Sequence, residues 1–491
     1  MTNCELNPGA VGIPYRDANC FLDALEASGS EMHALCIMRH GIQAMEGYWA
    51  PYRPGQIHGS QSLTKTMTGV ALGVAMQEGL LTLDDRLTDI FPEYACHTAG
   101  KPWWDELRVR HIASMGAGME QQPPVTSADW QEAFFHMDIV HQPGTAFFYN
   151  SVACSMVGAC IRKKTDLGLL DFLSDRVLRK IGIDPQHLRW HKHPDGQENG
   201  SGGLISDARE NALMMELYRR GGVWQGERLL AENWVRFALR VENPHTGGEN
   251  TYGGMMWVWK NCFAADGAMG QWALYFPRED MILSLSQTIS SMAQDKAVRL
   301  AIDRFAGNVQ DGETPWTAEE IRAFQARLES LHIPMPEINR NETTLQLFVD
   351  KQLRVTEGTA HFYADDLCIF NPGYLAPIQS FGFHRDGDGL ILEVTACGRT
   401  DCVPVDLNGQ RTVTLLTPLN GNPARTVSVA GWCPEDRTLV LEVRWLESCR
   451  VHRITFNALG SGAQITTSRL PVGGFDVPDE TALASIESTR S

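Results

Sequence analysis

The amino-acid sequence predicts an α+β domain built on an antiparallel sheet, followed by a separate all-β domain. Three observations predict this organisation. Two strand-like runs near the N-terminus precede a mostly helical stretch from about 105 to 245, and strands then return before a long helix at 292–306. From about 344 onward, apolar residues alternate or form short runs between Gly, Asn, Asp and Pro, which is typical of strands and turns.

The first elements predict a hairpin and then a buried helix. The runs 32–40 and 41–50 meet at Gly41 and predict two paired strands near a sheet edge. The run 60–81 is apolar on nearly every face, which indicates a helix buried on all sides. Its glycines, Gly69 and Gly73, would let another backbone approach closely.

Strands return at 251–260, 271–277 and 281–288, and the helix at 292–306 follows them. This order places an antiparallel sheet between flanking helices, with a mainly helical lobe beside it. We therefore assign residues 1–306 to the first domain.

The rest of the chain divides into three parts. Residues 307–343 are interpreted as a linker with one helix, because polar turns and Pro-bearing sequence surround a single amphipathic run. Residues 344–478 are expected to form a small barrel or sandwich, a choice that the pattern leaves open. Residues 479–491 are expected to be a flexible tail.

Composition excludes several classes of partner. The net charge of −17 over 491 residues disfavours nucleic acid. No run of 18 apolar residues is present, so no membrane helix is predicted. The first 20 residues show no export signal, and twelve scattered cysteines lack zinc-ligand spacing, so we expect a cytoplasmic protein with reduced thiols and no metal. Whether a signal was removed, and whether the chain forms a homo-oligomer, are left open.

Ser62 and Lys65 are the first candidates for chemistry. They lie one turn apart at the start of the buried helix, so their side chains can share a face. A serine becomes a nucleophile only with a base beside it, and a lysine out of water can serve as one. The SxxK spacing alone also fits a helix cap beside a solvated lysine.

Two further segments supply partners for that pair. Tyr149 follows a Pro-Gly turn and precedes an apolar helix, and a tyrosine beside a lysine can shuttle a proton. The run 265–280 is a Gly-rich entry to a strand, where backbone N–H groups can point at an oxyanion. His58, four residues before Ser62, and His141, before the Pro-Gly turn, could line the cleft, but a structural role is the simpler interpretation of each.

Taken together, these segments resemble the serine β-lactamase and penicillin-recognising superfamily, and most of all its class C-type hydrolases similar to 6-aminohexanoate-dimer hydrolase. The resemblance covers about residues 30–306 and includes SGGLISDAREN at 201–211. It implies that Ser62 is acylated, that Lys65 activates it, and that Tyr149 is the second base and protonates the leaving group. It also implies an oxyanion hole formed by the backbone N–H groups of Ser62 and Ala268, with no cofactor.

Two departures from the family pattern bear on the substrate. The family's Tyr-x-Asn reads Tyr149-Asn150-Ser151, and its Lys-Thr-Gly or His-x-Gly reads Ala265-Asp266-Gly267. A cation for a β-lactam carboxylate is therefore missing, and Asp266 is expected to repel one. The residues expected to contact substrate are Asn150, Ser151, Asp266, Gly267 and Gln271.

The sequence therefore predicts a serine hydrolase that cleaves a small ester, amide or peptide and is not a true β-lactamase. A transacylase of the same fold would use the same residues, because only access of water or an acceptor separates the two reactions. A non-catalytic binding protein is the third alternative, although Ser62, Lys65 and Tyr149 are all present.

Overall fold

The computed structural model describes residues 7–124, 127–244, 246–335, 339–363, 377–409, 411–417, 424–449, 451–469 and 478–488. Strands of the first domain, in chain order, are β1 (Glu31–Arg39), β2 (Ile42–Tyr48), β3 (His58–Gly59), β4 (Arg189–Trp190), β5 (Leu204–Ser206), β6 (Val223–Trp224), β7 (Glu227–Arg228), β8 (Thr251–Tyr252), β9 (Trp257–Val258), β10 (Phe263–Gly267), β11 (Gln271–Phe276) and β12 (Met281–Thr288). The main sheet has the order β2-β1-β12-β11-β10-β9-β8, and all its pairings are antiparallel. The predicted hairpin is confirmed as β1 and β2, with β2 at the edge.

Helices surround this sheet. They are α1 (Tyr15–Ala27), α2 (Thr64–Gln77), α3 (Leu87–Ile90), α4 (Ala95–Thr98), α5 (Val109–Ala113), α6 (Trp130–His136), α7 (Ser151–Thr165), α8 (Leu169–Leu173), α9 (Arg179–Ile181), α10 (Ala208–Arg219), α11 (Glu232–Ala238), α12 (Met292–Asn308), α13 (Ala318–Ser330) and α14 (Glu342–Leu345). A 3₁₀ turn at Gln61–Leu63 leads directly into α2. None of the helices in the described ranges is long and apolar enough to span a bilayer.

The two faces of the main sheet bury two separate cores. Because side chains alternate along a strand, Cys36 and Met38 of β1 pack with α2 and the helical lobe, whereas Leu35 and Ile37 pack with α1 and α12. Helix α2 is buried along almost its whole length, as predicted.

The two glycines of α2 allow the close approach of a side chain, and not of a second backbone as the sequence predicted. A Cβ on Gly73 would lie 2.4 Å from Cδ1 of Trp234, and one on Gly69 would lie 2.9 Å from Cζ2 of the same indole. The glycines therefore let a tryptophan of α11 lie flat against the helix.

The segment expected to be a linker is packed onto the first domain. Helix α13 contacts β2, and Phe324 is buried in the core shared with α1 and α12. The indole Nε1 of Trp316 donates to the carbonyl of Ile13 at 2.9 Å. The linker interpretation is therefore wrong up to about Ile333, because the apolar face of α13 completes a core that the sequence alone does not reveal.

The second domain is a barrel. Its strands are β13 (Lys351–Gly358), β14 (Ile378–Asp386), β15 (Gly389–Ala396), β16 (Arg399–Asp406), β17 (Val413–Leu416), β18 (Arg425–Trp432), β19 (Thr438–Trp445), β20 (Val451–Leu459), β21 (Gly462–Arg469) and β22 (Glu480–Ser488). A parallel pairing of β16 with β18 closes nine of these described strands into a ring, and β17 pairs outside it.

The expected flexible tail is largely part of this barrel. Strand β22 lies between β13 and β21 and pairs with both. The boundary at 478 and the tail at 479–491 are therefore wrong for 480–488, because alternating apolar residues there complete the sheet. Residues 489–491 lie outside the described residues.

The barrel is fastened to the first domain near the start of α2. Arg444 of β19 forms an ion pair with Glu31 of β1. Leu446, just after β19, is buried in the core of the first domain. The two domains therefore share a packed and partly charged interface.

Candidate active site

Ser62 lies in the turn between β3 and α2. Its neighbours Gln61 and Leu63 are buried, but Ser62 itself is only partly buried. The preceding Ser60 is fixed by its N–H, which donates to the carbonyl of Leu204 at 2.9 Å, and by a 2.8 Å contact with the hydroxyl of Ser206. One accessible hydroxyl is therefore presented by a segment that is otherwise closely held.

Lys65 approaches this hydroxyl from the next turn of α2. Its Nζ lies 3.0 Å from Oγ of Ser62 and donates to the carbonyl of Ser201 at 2.7 Å. The lysine is 1% exposed. A buried amine at this distance is suited to take a proton from the serine when the amine is neutral.

Tyr149 flanks the pair. The Nζ of Lys65 lies 4.9 Å from the centroid of the Tyr149 ring. That ring stacks on Trp257, with centroids 5.8 Å apart and planes 10° from parallel, and it meets Tyr252 edge to face. The structure thus brings Ser62, Lys65 and Tyr149 together, with the phenol oriented by an aromatic wall.

Asn150 and Ser151 have local roles at the start of α7. The Oδ1 of Asn150 accepts from the N–H of Ala153 at 2.8 Å, which caps the helix. Ser151 is the first, buried residue of α7, and its N–H donates to Oε1 of Gln122 at 2.7 Å. The structure therefore uses the Asn150 carboxamide oxygen inside the fold and not as an open contact for substrate.

Gln122 supports the start of α7 next to Tyr149, a role that the sequence interpretation missed. It is partly buried, and its carboxamide lies at the start of α7 beside the residue that follows Tyr149 and Asn150. The sequence gives only a weak signal for Gln122. The first N–H groups of any helix lack a partner within the helix and need an acceptor, but this does not indicate which side chain provides it.

The end of β10 lies directly against the segment before Ser62. A Cβ on Gly267 would lie 2.3 Å from the carbonyl oxygen of Ser60, so only glycine fits. Ala268 follows, and Met269 and Gly270 complete the turn into β11 with positive φ angles of 65° and 86°. Gln271 supports this turn, because its Nε2 donates to the carbonyl oxygens of Met269 and Gln287.

Asp266 faces the opposite side of the sheet, which corrects its predicted contact with substrate. The indole Nε1 of Trp272, its cross-strand partner, donates to Oδ1 of Asp266 at 2.9 Å. Arg299 of α12 lies 3.8 Å from the other oxygen. Because strand residues alternate, Ala265 is the residue on the α2 side.

The surroundings of Asp266 are distinct from those of Ser62. Burial raises the pKa of Asp266 to about 6, although Arg299 and Trp272 act to lower it. A cavity of about 570 Å³ lies on this face, between the 266–270 turn and the start of α12.

His58 belongs to a buried network at the domain interface. Its Nε2 lies 3.1 Å from Nδ1 of His33, and Nε2 of His33 lies 3.1 Å from Oε1 of Glu31, the partner of Arg444. Burial and the neighbouring His33 lower the pKa of His58 to about 3, and burial lowers the pKa of His33. His141 is exposed, and its Nε2 lies 2.8 Å from Oε1 of Glu120.

Two clusters in the described ranges have the spacing of metal ligands, and neither includes Ser62, Lys65 or Tyr149. One joins α4 to α6 on the surface of the lobe through His97, Glu132 and His136. The other comprises His187, Asp207 and Glu210, whose groups are already committed to the capping box of α10 and to a 2.7 Å contact of His187 with Glu210.

A buried helix that begins at a serine–lysine pair, set between an antiparallel sheet and a helical lobe, defines the class of β-lactamase-like serine hydrolase folds. The Beta-lactamase family model matches residues 22–307, more than half of the chain. The protein therefore belongs to the Beta-lactamase family, and a barrel follows its family domain.

Individual relatives agree with this assignment. A β-lactamase of Yersinia enterocolitica is 30% identical over 128 residues, which cover 25% of this chain and 31% of that protein, so the match spans about a third of the relative's length. A Bacillus anthracis structure assigned as a 6-aminohexanoate-dimer hydrolase has a TM-score of 0.50 at 17% identity, covering 58% of this chain and 81% of that one. A Bacteroides dorei structure assigned as a β-lactamase has a TM-score of 0.50 at 12% identity, covering 59% and 98%.

Proposed function

We propose that this protein is a serine hydrolase that cleaves an ester or amide bond through an acyl-Ser62 intermediate. The observation that carries the proposal is the 3.0 Å separation between the buried amine of Lys65 and the accessible hydroxyl of Ser62. Tyr149, beside the same amine, supplies the second proton-transfer group. Family membership supports the same chemistry.

The reaction begins when Lys65, assisted by Tyr149, takes the proton of Ser62 as Oγ attacks the substrate carbonyl. The tetrahedral oxyanion is stabilised by the backbone N–H groups of Ser62 and Ala268. The close approach of Gly267 to the carbonyl of Ser60, residues that lie close to these two in the chain, supports this pairing. Tyr149 then returns the proton to the departing alcohol or amine. Water attacks the acyl-enzyme by the same proton transfers and releases the acid.

The preferred substrate carries a neutral or cationic acyl end. Ala265 occupies the α2-facing position where the family motif has a lysine or histidine, and it is fully buried. No cation is therefore supplied from this position to pair with a substrate carboxylate. Asp266 does not supply the expected repulsion, because its side chain faces α12.

Intact-mass measurement tests the proposal. The protein is incubated separately with a p-nitrophenyl ester, a fluorophosphonate and benzylpenicillin, alongside Ser62→Ala and the control Ser330→Ala at an exposed serine of α13. We expect ester and phosphonate adducts on the wild type and on Ser330→Ala, none on Ser62→Ala, and none with penicillin.

Each other outcome has a defined meaning. A penicillin adduct on Ser62 would show that the site tolerates a carboxylate and would overturn the substrate preference. Absence of every adduct from folded protein would sink the hydrolase proposal. Acyl transfer to an added amine, in place of acid release, would identify a transacylase.

A further inference from the structure

A short segment of the barrel reaches the candidate active site. The segment Leu446–Cys449 follows β19; Leu446 is buried in the first domain, and Cys449 is 1% exposed. The N–H of Gly59 donates to the carbonyl of Glu447 at 2.8 Å, and the hydroxyl of Thr288 donates to the carbonyl of Cys449 at 2.7 Å. We call these residues the 446–449 segment.

The thiol of Cys449 touches two residues that flank the proposed oxyanion hole. Its Sγ lies 3.8 Å from Nε2 of Gln61, the residue before Ser62. The same sulfur lies 3.3 Å from Sδ of Met269, the residue after Ala268. One side chain of the second domain therefore contacts the side chains of the residues that adjoin both proposed oxyanion donors.

Both of these residues have an unfavourable backbone conformation. Gln61 has φ of 52° and Met269 has φ of 65°, which is the left-handed region that residues with a Cβ seldom adopt. Such a conformation persists only where the surrounding structure holds it in place. Cys449 contacts the side chains of both residues and is therefore part of the structure that surrounds them.

The 446–449 segment is itself rigidly supported. Both carboxylate oxygens of Glu447 accept from the N–H of Thr426, at 3.0 and 3.1 Å, and the N–H of Ser448 donates to the carbonyl of Trp445. The segment is thus fixed to β18 and β19 before it meets the first domain.

We propose that the 446–449 segment is a positioning element of the active site. By packing against Gln61 and Met269, Cys449 holds the N–H groups of Ser62 and Ala268 at the separation needed to bind one oxyanion. The effect on catalysis rests on the proposed hydrolase function, whereas the effect on the two segments does not.

The test enlarges the side chain at position 449. Cys449→Leu forces Gln61 and Met269 apart, Cys449→Ser keeps the size, and Cys433→Leu is the matched control at a buried cysteine elsewhere in the barrel. Readouts are kcat and KM for a p-nitrophenyl ester and amide hydrogen exchange in peptides covering 57–63 and 265–271.

We expect Cys449→Leu to lower kcat by about tenfold or more with KM nearly unchanged, because loss of one oxyanion donor costs on the order of a hundredfold in serine hydrolases. Exchange should rise in both peptides. Cys449→Ser should restore both readouts, and Cys433→Leu should change neither.

The alternatives are distinguishable. Unchanged hydrogen exchange and unchanged kcat in folded Cys449→Leu would overturn the proposal. Raised exchange with unchanged kcat would overturn the role in catalysis and leave only a structural contact between the domains. If the wild type shows no Ser62-dependent turnover, the hydrolase proposal fails, but the exchange data still decide whether the 446–449 segment holds residues 57–63 and 265–271 in place.

If Cys449→Leu does not fold, a second variant tests the same proposal. Thr288→Val removes only the hydrogen bond to Cys449 and is measured beside the control Thr438→Val in the barrel.

Discussion

Ser62 and Lys65 differ in burial, and the proposed mechanism makes use of this difference. The amine of Lys65 is shielded and held by the Ser201 carbonyl, while the hydroxyl it contacts is partly open to solvent. A substrate can therefore reach the nucleophile without hydrating the base. The turn that leads into α2 thus places an accessible hydroxyl and a buried amine three residues apart.

Replacement of the base is the sharpest test at the residue scale. Lys65→Met keeps the length of the side chain but cannot accept a proton, so we expect fluorophosphonate labelling of Ser62 to slow by about a thousandfold, within the usual range for a general base. Time-resolved intact mass measures this rate. Lys163→Met, which removes a surface ion pair with Glu93, should label like the wild type; equal rates in both variants would remove Lys65 from the mechanism.

The sequence could predict that Ser62, Lys65 and Tyr149 come together, because their spacing and neighbours carry a recognisable pattern. The sequence could not predict which face of the sheet carries Asp266. Alternation along β10 places neighbouring residues on opposite faces, but only the packing of the folded chain shows that α2 covers the face with Ala265. Gln122 escaped for a related reason, since its partner Ser151 comes 29 residues later.

At the scale of elements, the start of α7 positions Tyr149. Asn150 caps the helix, and Gln122 accepts from the next N–H, so the residue just before the cap has a fixed direction. The stack on Trp257 of β9 holds the ring from the other side.

Removal of this cap should affect stability and turnover together. Asn150→Ala is expected to lower the free energy of unfolding by about 1 kcal/mol, the usual value of such a cap, and to reduce kcat by about tenfold because Tyr149 loses its fixed position. Chemical denaturation and ester turnover measure the two effects. Ser291→Ala, which removes the cap of α12, should cost similar stability without loss of kcat; equal kcat losses would disconnect α7 from catalysis.

Elements with long apolar or amphipathic runs, such as α2, α12 and β1, could be predicted closely from the sequence. The packing of α13 could not be predicted, because its short apolar face is buried only by contact with α1 and β2. Strand β22 could not be predicted for a similar reason, since one of its two pairing partners, β13, lies far from it in the chain.

At the scale of the whole molecule, the domain interface contains neutral histidines beside an ion pair. Although burial acts to raise the pKa of Glu31, Arg444 and His33 hold it well below the usual value. His33 stacks on Tyr52 and contacts His58, so protonation of either imidazole would place an additional charge in a closed space.

Acid should therefore loosen the interface. The pKa of His58 is about 3 in the folded chain and about 6.5 when unfolded, so the unfolded state binds more protons and the free energy of unfolding falls as pH decreases below about 6.5. The Glu31 carboxylate adds a loss of the same sign at lower pH. Thermal unfolding between pH 8 and 5 measures the slope, which we expect to be shallower in His58→Asn and unchanged in the exposed control His332→Asn; equal slopes in both variants would contradict the assignment.

Strand β22, which follows the other described strands in the chain, lies between β13 and β21 and joins them. The barrel that carries the 446–449 segment is therefore continuous only when this last described strand is in place. On the proposed positioning role, we expect removal of residues 480–488 to lower turnover although Ser62, Lys65 and Tyr149 are all retained.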